Sequence, residues 1–221
     1  MSDTIQSPFT FGEFTENPEP RCACLLLLDT SGSMDGAPIR ELNAGLQALR
    51  EELSQDSLAM KRVEIAVVTF GPVKVETDFQ TVDTWQPPTL AASGATPMGE
   101  AITRGLEMLR QRKDQYRANG IEVFRPWVFL LTDGGPTDAW QQAADMVKAG
   151  EESKGFAFFA IGVENADMDV LRRISVRAPV KMAGLKFKDM FAWLSSSLSS
   201  VSSSQPGTTV QIAPPSGWTE V

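Results

Sequence analysis

The run Cys22-Ala23-Cys24-Leu25-Leu26-Leu27-Leu28, closed by Asp29, limits this chain more than any other feature. An unbroken apolar stretch of that length, bounded by turn residues, suits a strand covered on both faces, as in a parallel sheet between helix layers. Trp127–Thr132 repeats the pattern and again ends at an aspartate, Asp133. Two buried strands that each stop at a carboxylate place two acids at one end of one sheet.

The rest of the chain supplies the layers. Pro38 opens a segment in which Ile39, Leu42, Leu46, Leu49 and Leu53 recur at steps of three and four, one face of an amphipathic helix. Val63–Phe70 reads as a strand, and Gly71-Pro72 breaks it. Val73–Glu76 with Phe79–Trp85 returns beside it as an antiparallel edge. Thr96-Pro97 looks like a helix cap followed by proline at the first helical position, with the helix running to about Ala118. After Gly134-Gly135-Pro136, Asp138 is placed to cap a helix through about Ser153. Gly155–Val163 reads as a strand, Asp167–Ser175 as a short helix and Val180–Ala183 as a short strand. Phe187, Phe191, Leu194, Leu198 and Val201 mark a last amphipathic helix. Alternating strands and helices predict an α/β fold: a doubly wound, mostly parallel sheet with one antiparallel edge strand and helices on both faces. We expect an extended arm over 1–20, one domain over 21–203, and a flexible Pro- and Gly-containing tail over 204–221.

Composition narrows the chemistry. The 221 residues carry 28 acidic and 20 basic side chains, a formal charge of −8, and no histidine. An acidic balance disfavours a nucleic-acid surface. Without histidine there is no Ser-His-Asp triad, no Cys-His pair and no imidazole zinc ligand. No apolar run is long enough to span a membrane, and the start lacks the pattern of a signal peptide, so the expected compartment is the cytoplasm. Cys22 and Cys24 lie two apart on one strand, where a mutual disulfide is strained; buried apolar thiols are the simpler reading.

Three segments bring oxygen ligands to strand or helix ends. They are Asp29-Thr30-Ser31-Gly32-Ser33 (D-x-S-x-S), Thr96 within Ser93–Pro97, and Asp133 within Leu131–Gly135. Sites in doubly wound sheets form beyond the carboxyl ends of the strands. Two carboxylates and three hydroxyls there make an all-oxygen set that suits a hard divalent cation such as Mg²⁺. Taken singly, each residue has an ordinary structural use: Ser31-Gly32-Ser33 as a turn, Thr96 as a helix cap, Asp133 as a loop acid.

Together these residues resemble the metal-ion-dependent adhesion site (MIDAS) of the von Willebrand factor type A domain: D-x-S-x-S, a distant threonine and a distant aspartate. The resemblance covers roughly residues 21–200. It implies a Rossmann-like fold, with Ser31, Ser33 and Thr96 contacting the metal and Asp29 and Asp133 close or water-bridged. It implies Mg²⁺, with Mn²⁺ or Ca²⁺ as alternatives, and a protein partner that supplies an Asp or Glu carboxylate. Within that superfamily the chain resembles the bacterial TerY group of tellurium-resistance and stress proteins. That likeness lies in Leu28–Met34, Ala95–Gly99, Leu131–Gly134 with Pro136–Asp138, and the serine-rich end with Trp218. It implies work beside a Ser/Thr kinase and a PP2C-type phosphatase, with no nucleic acid and no membrane.

The expectation is therefore a non-enzymatic binding module. The alternatives are a phosphotransfer enzyme with Asp29 as nucleophile, and a scaffold that uses no metal. The first lacks the second acid that such hydrolysis needs, because Ser31 stands in its place. The phosphate-cradling G-x-x-x-x-G-K-[ST] sequence is also absent. Met34 and Met98 flank the proposed site and suit either its rim or the core. Arg110, Arg112, Lys113 and Arg117 read as cations that favour a helix end. The serines from Ser195 to Ser204 are candidate phosphoacceptors.

Overall fold

The computed structural model describes residues 12–182, 184–208, 210 and 219–220. In chain order they form α1 (Gly12–Glu16), β1 (Cys22–Asp29), α2 (Ala37–Leu53), α3 (Ser57–Arg62), β2 (Val63–Phe70), β3 (Val73–Thr81) and α4 (Met98–Ala118). There follow β4 (Trp127–Thr132), α5 (Gln141–Glu152), β5 (Ala157–Val163), α6 (Met168–Ile174), β6 (Val180–Met182), α7 (Phe187–Ser202) and β7 (Thr219–Glu220).

One sheet runs through the molecule in the order β3-β2-β1-β4-β5-β6-β7. Strands β2, β1, β4, β5 and β6 are parallel, and β3 is the antiparallel edge beside β2, as the alternating pattern predicts. At the far edge the two-residue β7 pairs antiparallel with β6. Every residue of β1, β2 and β4 is buried, which is what their continuous apolar runs require. Along β1 the side chains alternate between two cores. Cys22, Cys24, Leu26 and Leu28 face one core together with α2 and α7, while Ala23, Leu25 and Leu27 face the other together with α4. Gly45 of α2 makes room for α7, since a Cβ there would lie 2.5 Å from the Phe191 ring.

Both thiols sit in the first core and are buried. Desolvation pushes the Cys22 thiol up to about 12 and the Cys24 thiol well above its ordinary value. Both therefore remain protonated and shielded. Iodoacetamide at pH 8 is expected to leave them unmodified in the folded protein and to alkylate both after unfolding; labelling of the native protein at the unfolded rate would contradict this burial.

Two short helices form where none was expected. The arm is not extended over its second half. Gly12–Glu16 is helical because Phe14 inserts against Tyr116 at 5.9 Å and lies beneath the guanidinium groups of Arg21 and Arg112. Residues 1–11 lie outside the described residues. Ser57–Arg62 forms α3 on an Asp56 cap, whose carboxylate accepts from the N–H groups of Leu58 and Ala59. The last helix keeps its serine-rich end, because Ser195, Ser197 and Ser202 are themselves buried. Trp218 falls outside the described residues.

Arg112, Lys113 and Arg117 of α4 do not form one patch. Arg112 turns inward to Glu64 and Glu13, Lys113 donates to the Gly155 carbonyl, and Arg117 pairs with Asp114 on the surface. Among the described residues no helix is long and apolar enough to cross a membrane.

Candidate metal centre

The register of the central strands builds the site. β1 is flanked by β2 on one side and β4 on the other, so the chain order reverses across it, the point at which doubly wound sheets place their sites. Leu28 pairs with Leu131, which sets Asp29 beside Thr132 and brings Asp133 within reach of the turn that follows β1. That turn, Gly32–Met34, is a single turn of 3-10 helix in which the Met34 N–H donates to the Ser31 carbonyl at 3.0 Å.

Asp29 is wholly buried beneath the turn. Its Oδ1 accepts from the Ser31 N–H at 2.8 Å and its Oδ2 accepts from the Thr132 hydroxyl at 2.5 Å. Burial pushes the Asp29 carboxyl up from its ordinary range. Hydrogen bonds from Ser31 and Thr132 pull the other way, and the neighbouring Asp133 carboxylate adds to the upward push. Ser31 Oγ and Ser33 Oγ are 3.1 Å apart, and Ser33 Oγ donates to Asp133 Oδ1 at 2.7 Å. Ser31 is buried, whereas Ser33 is exposed, so the oxygen cluster reaches from the interior to solvent.

Thr96 arrives on a separate loop. Its segment is fastened to the turn by the Gly32 N–H, which donates to the Gly94 carbonyl at 3.0 Å, and by the Ser93 N–H, which donates to the Thr30 carbonyl at 2.7 Å. Gly71, at the β2–β3 hairpin, must be glycine for this junction. A Cβ there would lie 2.5 Å from the Ser93 carbonyl and 2.6 Å from that of Thr30. Thr96 itself is buried, and among the described residues its hydroxyl makes no hydrogen bond to the Asp29, Ser31, Ser33 and Asp133 side chains. The structure thus links Asp29, Ser31, Ser33 and Asp133 directly, and tethers Thr96 to them through the backbone.

The expected cap at Thr96 is displaced. Helix α4 begins at Met98, Pro97 precedes it, and no side chain of its own segment caps it. Asp138 does so from the β4–α5 loop, accepting from the N–H groups of Gly99 at 3.0 Å and Glu100 at 2.8 Å. Asp138 is therefore a helix cap, but of α4 and not of α5, which starts at Gln141. Met34 and Met98 are both fully buried, so they belong to the core and not to the rim.

The donor set fits a small, hard cation. In an octahedron with bonds of about 2.0–2.1 Å, neighbouring ligand oxygens lie about 2.9 Å apart. The two serine hydroxyls expected to touch the cation, Ser31 and Ser33 Oγ, lie 3.1 Å apart, near that edge. The set is poor in charge: among the described residues no three Asp, Glu or Cys side chains gather around one point.

Residues 25–192 match the von Willebrand factor type A domain model. Among the curated proteins, none matches the chain in sequence. Several solved structures share the fold. The pilus adhesin SpaC from Lactobacillus rhamnosus GG aligns with TM-score 0.66 at 13% identity, over 82% of this chain and 30% of that one. Proximal thread matrix protein 1 from the mussel byssus, in a form described with a zinc-occupied MIDAS motif, aligns with TM-score 0.54 at 17% identity, over 81% and 48%. The vWF domain of the type V pili tip protein Mfa5 from Porphyromonas gingivalis aligns with TM-score 0.53 at 11% identity, over 87% and 99%. The chain thus spans less than half of the adhesin and of the byssal protein. At these identities the likeness is one of fold.

Proposed function

The chain belongs to the von Willebrand factor type A domain family, and from that premise we propose that it is a non-enzymatic, divalent-metal-dependent protein-binding module. The observation that carries the reading is the convergence of Ser31, Ser33 and Asp133 oxygens above a buried Asp29. Ser31, Ser33 and Thr96 would hold the cation through their hydroxyls, with Asp29 and Asp133 close or bridged by water. A cation held mainly by neutral hydroxyls stays strongly electrophilic and draws in an Asp or Glu carboxylate from a partner. Mg²⁺ is the cation we favour, on a small donor set made only of hydroxyl and carboxylate oxygens.

The same geometry argues against the phosphotransfer alternative. A nucleophilic carboxylate needs a free oxygen facing its substrate, and both oxygens of Asp29 are engaged below the surface. The finer placement is cytoplasmic, in a bacterial tellurite or stress-response system beside a Ser/Thr kinase and a PP2C-type phosphatase. It is supported by the TerY-like segments around Asp29, Thr96 and Asp133.

Titration calorimetry of EDTA-treated protein tests the metal reading. One saturable site for Mg²⁺ or Mn²⁺ is expected, with affinity falling about tenfold in Ser33→Ala, the equivalent of one lost interaction of ~1.4 kcal/mol. Absence of binding by the unaltered protein to either ion would overturn it.

A further inference from the structure

The β4–α5 loop does more than deliver Asp133. Four residues further along, Thr137 and Asp138 grip the segment that carries Thr96. Thr137 pairs with Thr96 in both directions: its N–H donates to the Thr96 carbonyl at 2.9 Å, and its hydroxyl oxygen accepts from the Thr96 N–H at 3.0 Å. Asp138 accepts from the next free amides, those of Gly99 and Glu100. The two segments are pressed together at Gly99, where a Cβ would lie 2.4 Å from the Ala139 carbonyl.

We propose that Thr137 and Asp138 are positioning residues for the metal centre, fastening Thr96 to the loop that bears Asp133 and keeping the Thr96 hydroxyl available as a ligand. The inference rests on the metal reading above. Its logic is one of hydrogen-bond supply. A threonine just ahead of a helix ordinarily spends its side-chain oxygen on the first-turn amides. Here a carboxylate from another loop takes two of those amides, and it sits where the helix dipole favours negative charge. The Thr96 N–H is taken by Thr137. The Thr96 hydroxyl is left uncommitted, and its backbone is held from both sides. Thr96 and Asp133 then move as one unit, because four hydrogen bonds join their segments.

Thr137→Val keeps the shape of the side chain and removes the acceptor for the Thr96 N–H. Asp138→Asn leaves one of the two helix amides without a carboxylate oxygen. Mn²⁺ alone serves as the probe, read by calorimetry and by the electron paramagnetic resonance signal of the bound ion. Thermal unfolding in EDTA reports the fold without metal. Thr137→Val is expected to bind Mn²⁺ at least about tenfold more weakly, the lower end of the range for supporting residues around a metal. Asp138→Asn is expected to move in the same direction. Both should keep the midpoint in EDTA within a few degrees of the unaltered protein, and Thr137→Ser, which restores the acceptor, should recover the affinity. Equal Mn²⁺ binding by the unaltered protein and both variants overturns the inference and leaves the metal reading intact. A loss of affinity that Thr137→Ser fails to recover also overturns it. Failure of the unaltered protein to bind Mn²⁺ overturns the metal reading and this inference with it.

Discussion

Glu64→Ala is expected to destabilise the domain by about 3–5 kcal/mol, the cost of stripping one partner from a buried ion network. Glu64 lies on β2 at the end of the sheet away from the metal centre, wholly buried, and both of its oxygens are saturated. Oε1 accepts from Arg21 Nε at 2.8 Å and Arg112 Nη2 at 2.9 Å. Oε2 accepts from Arg112 Nε at 2.8 Å and from the Tyr116 hydroxyl at 2.5 Å. Arg21 is fully buried and Arg112 nearly so. Without Glu64, Arg21 keeps, among the described residues, the backbone carbonyls of Asn17 and Glu19 and the Phe14 ring, and Arg112 keeps Glu13 and Gln115. Arg21 would then face no carboxylate among the described residues, and Arg112 would keep only Glu13, whose side chain is 39% exposed. For a domain of this size each kcal/mol moves the midpoint by about 2–4 °C, so the expected drop is roughly 6–20 °C. Glu64→Gln keeps the volume and one acceptor oxygen and should fall between. A midpoint within two degrees of the unaltered protein for Glu64→Ala would show that water reaches the cluster and that the arm does not seal it. The network is not a net source of stability: apolar residues of matching shape at all of its positions could do as well. What it supplies is specificity for where the arm sits, since Glu13, Phe14, Asn17 and Glu19 all contact its arginines.

That cluster also shows why part of the fold was legible in sequence and part was not. β1 and β4 announce themselves through local composition, because a strand covered on both faces must be apolar throughout. The centre was legible for the same reason: Asp29 and Asp133 each close such a run, and a parallel sheet brings like ends together. Glu64 could be noticed as a lone acid in a β-branched strand, but its cations are 43 and 48 residues away and nothing local pairs them. The cap of α4 escaped for a similar reason. Thr96-Pro97 has the local signature of a cap, while the residue whose carboxylate accepts from the helix amides, Asp138, is 39 residues from Gly99. Its own neighbourhood suggested a cap for the following helix, the right chemistry assigned to the wrong helix. Short elements such as α1, five residues long, are too brief to leave a periodic trace; Phe14 becomes readable only once Tyr116 is known to face it.

Asp29→Ala is the substitution that most sharply separates folding from function, because it should abolish metal binding and leave the apo fold nearly as stable. Two effects oppose each other without metal. Removing the carboxylate orphans the Ser31 N–H and the Thr132 hydroxyl, which costs about 1–3 kcal/mol for each group that finds no other partner. Thr132 has an alternative, since its hydroxyl already lies 3.4 Å from the Gly134 carbonyl. Against this, the substitution removes a carboxylate whose charged form burial disfavours and which Asp133 repels. The balance is a change of roughly 1–2 kcal/mol in EDTA. With metal the two proteins part. A ligand at one hundred times its dissociation constant stabilises the native state by about 2.7 kcal/mol, which at this size lifts the midpoint by roughly 5–11 °C. The unaltered protein should show that rise when Mg²⁺ or Mn²⁺ is added, and Asp29→Ala should show none. The Ser31 and Ser33 hydroxyls would remain, yet the turn that presents them would have lost its anchor and the centre half of its charge. A metal-induced rise of equal size in Asp29→Ala would place the binding site elsewhere on the molecule. A phosphatase activity lost in Asp29→Asn, in protein free of contaminating enzyme, would instead return Asp29 to the role of nucleophile.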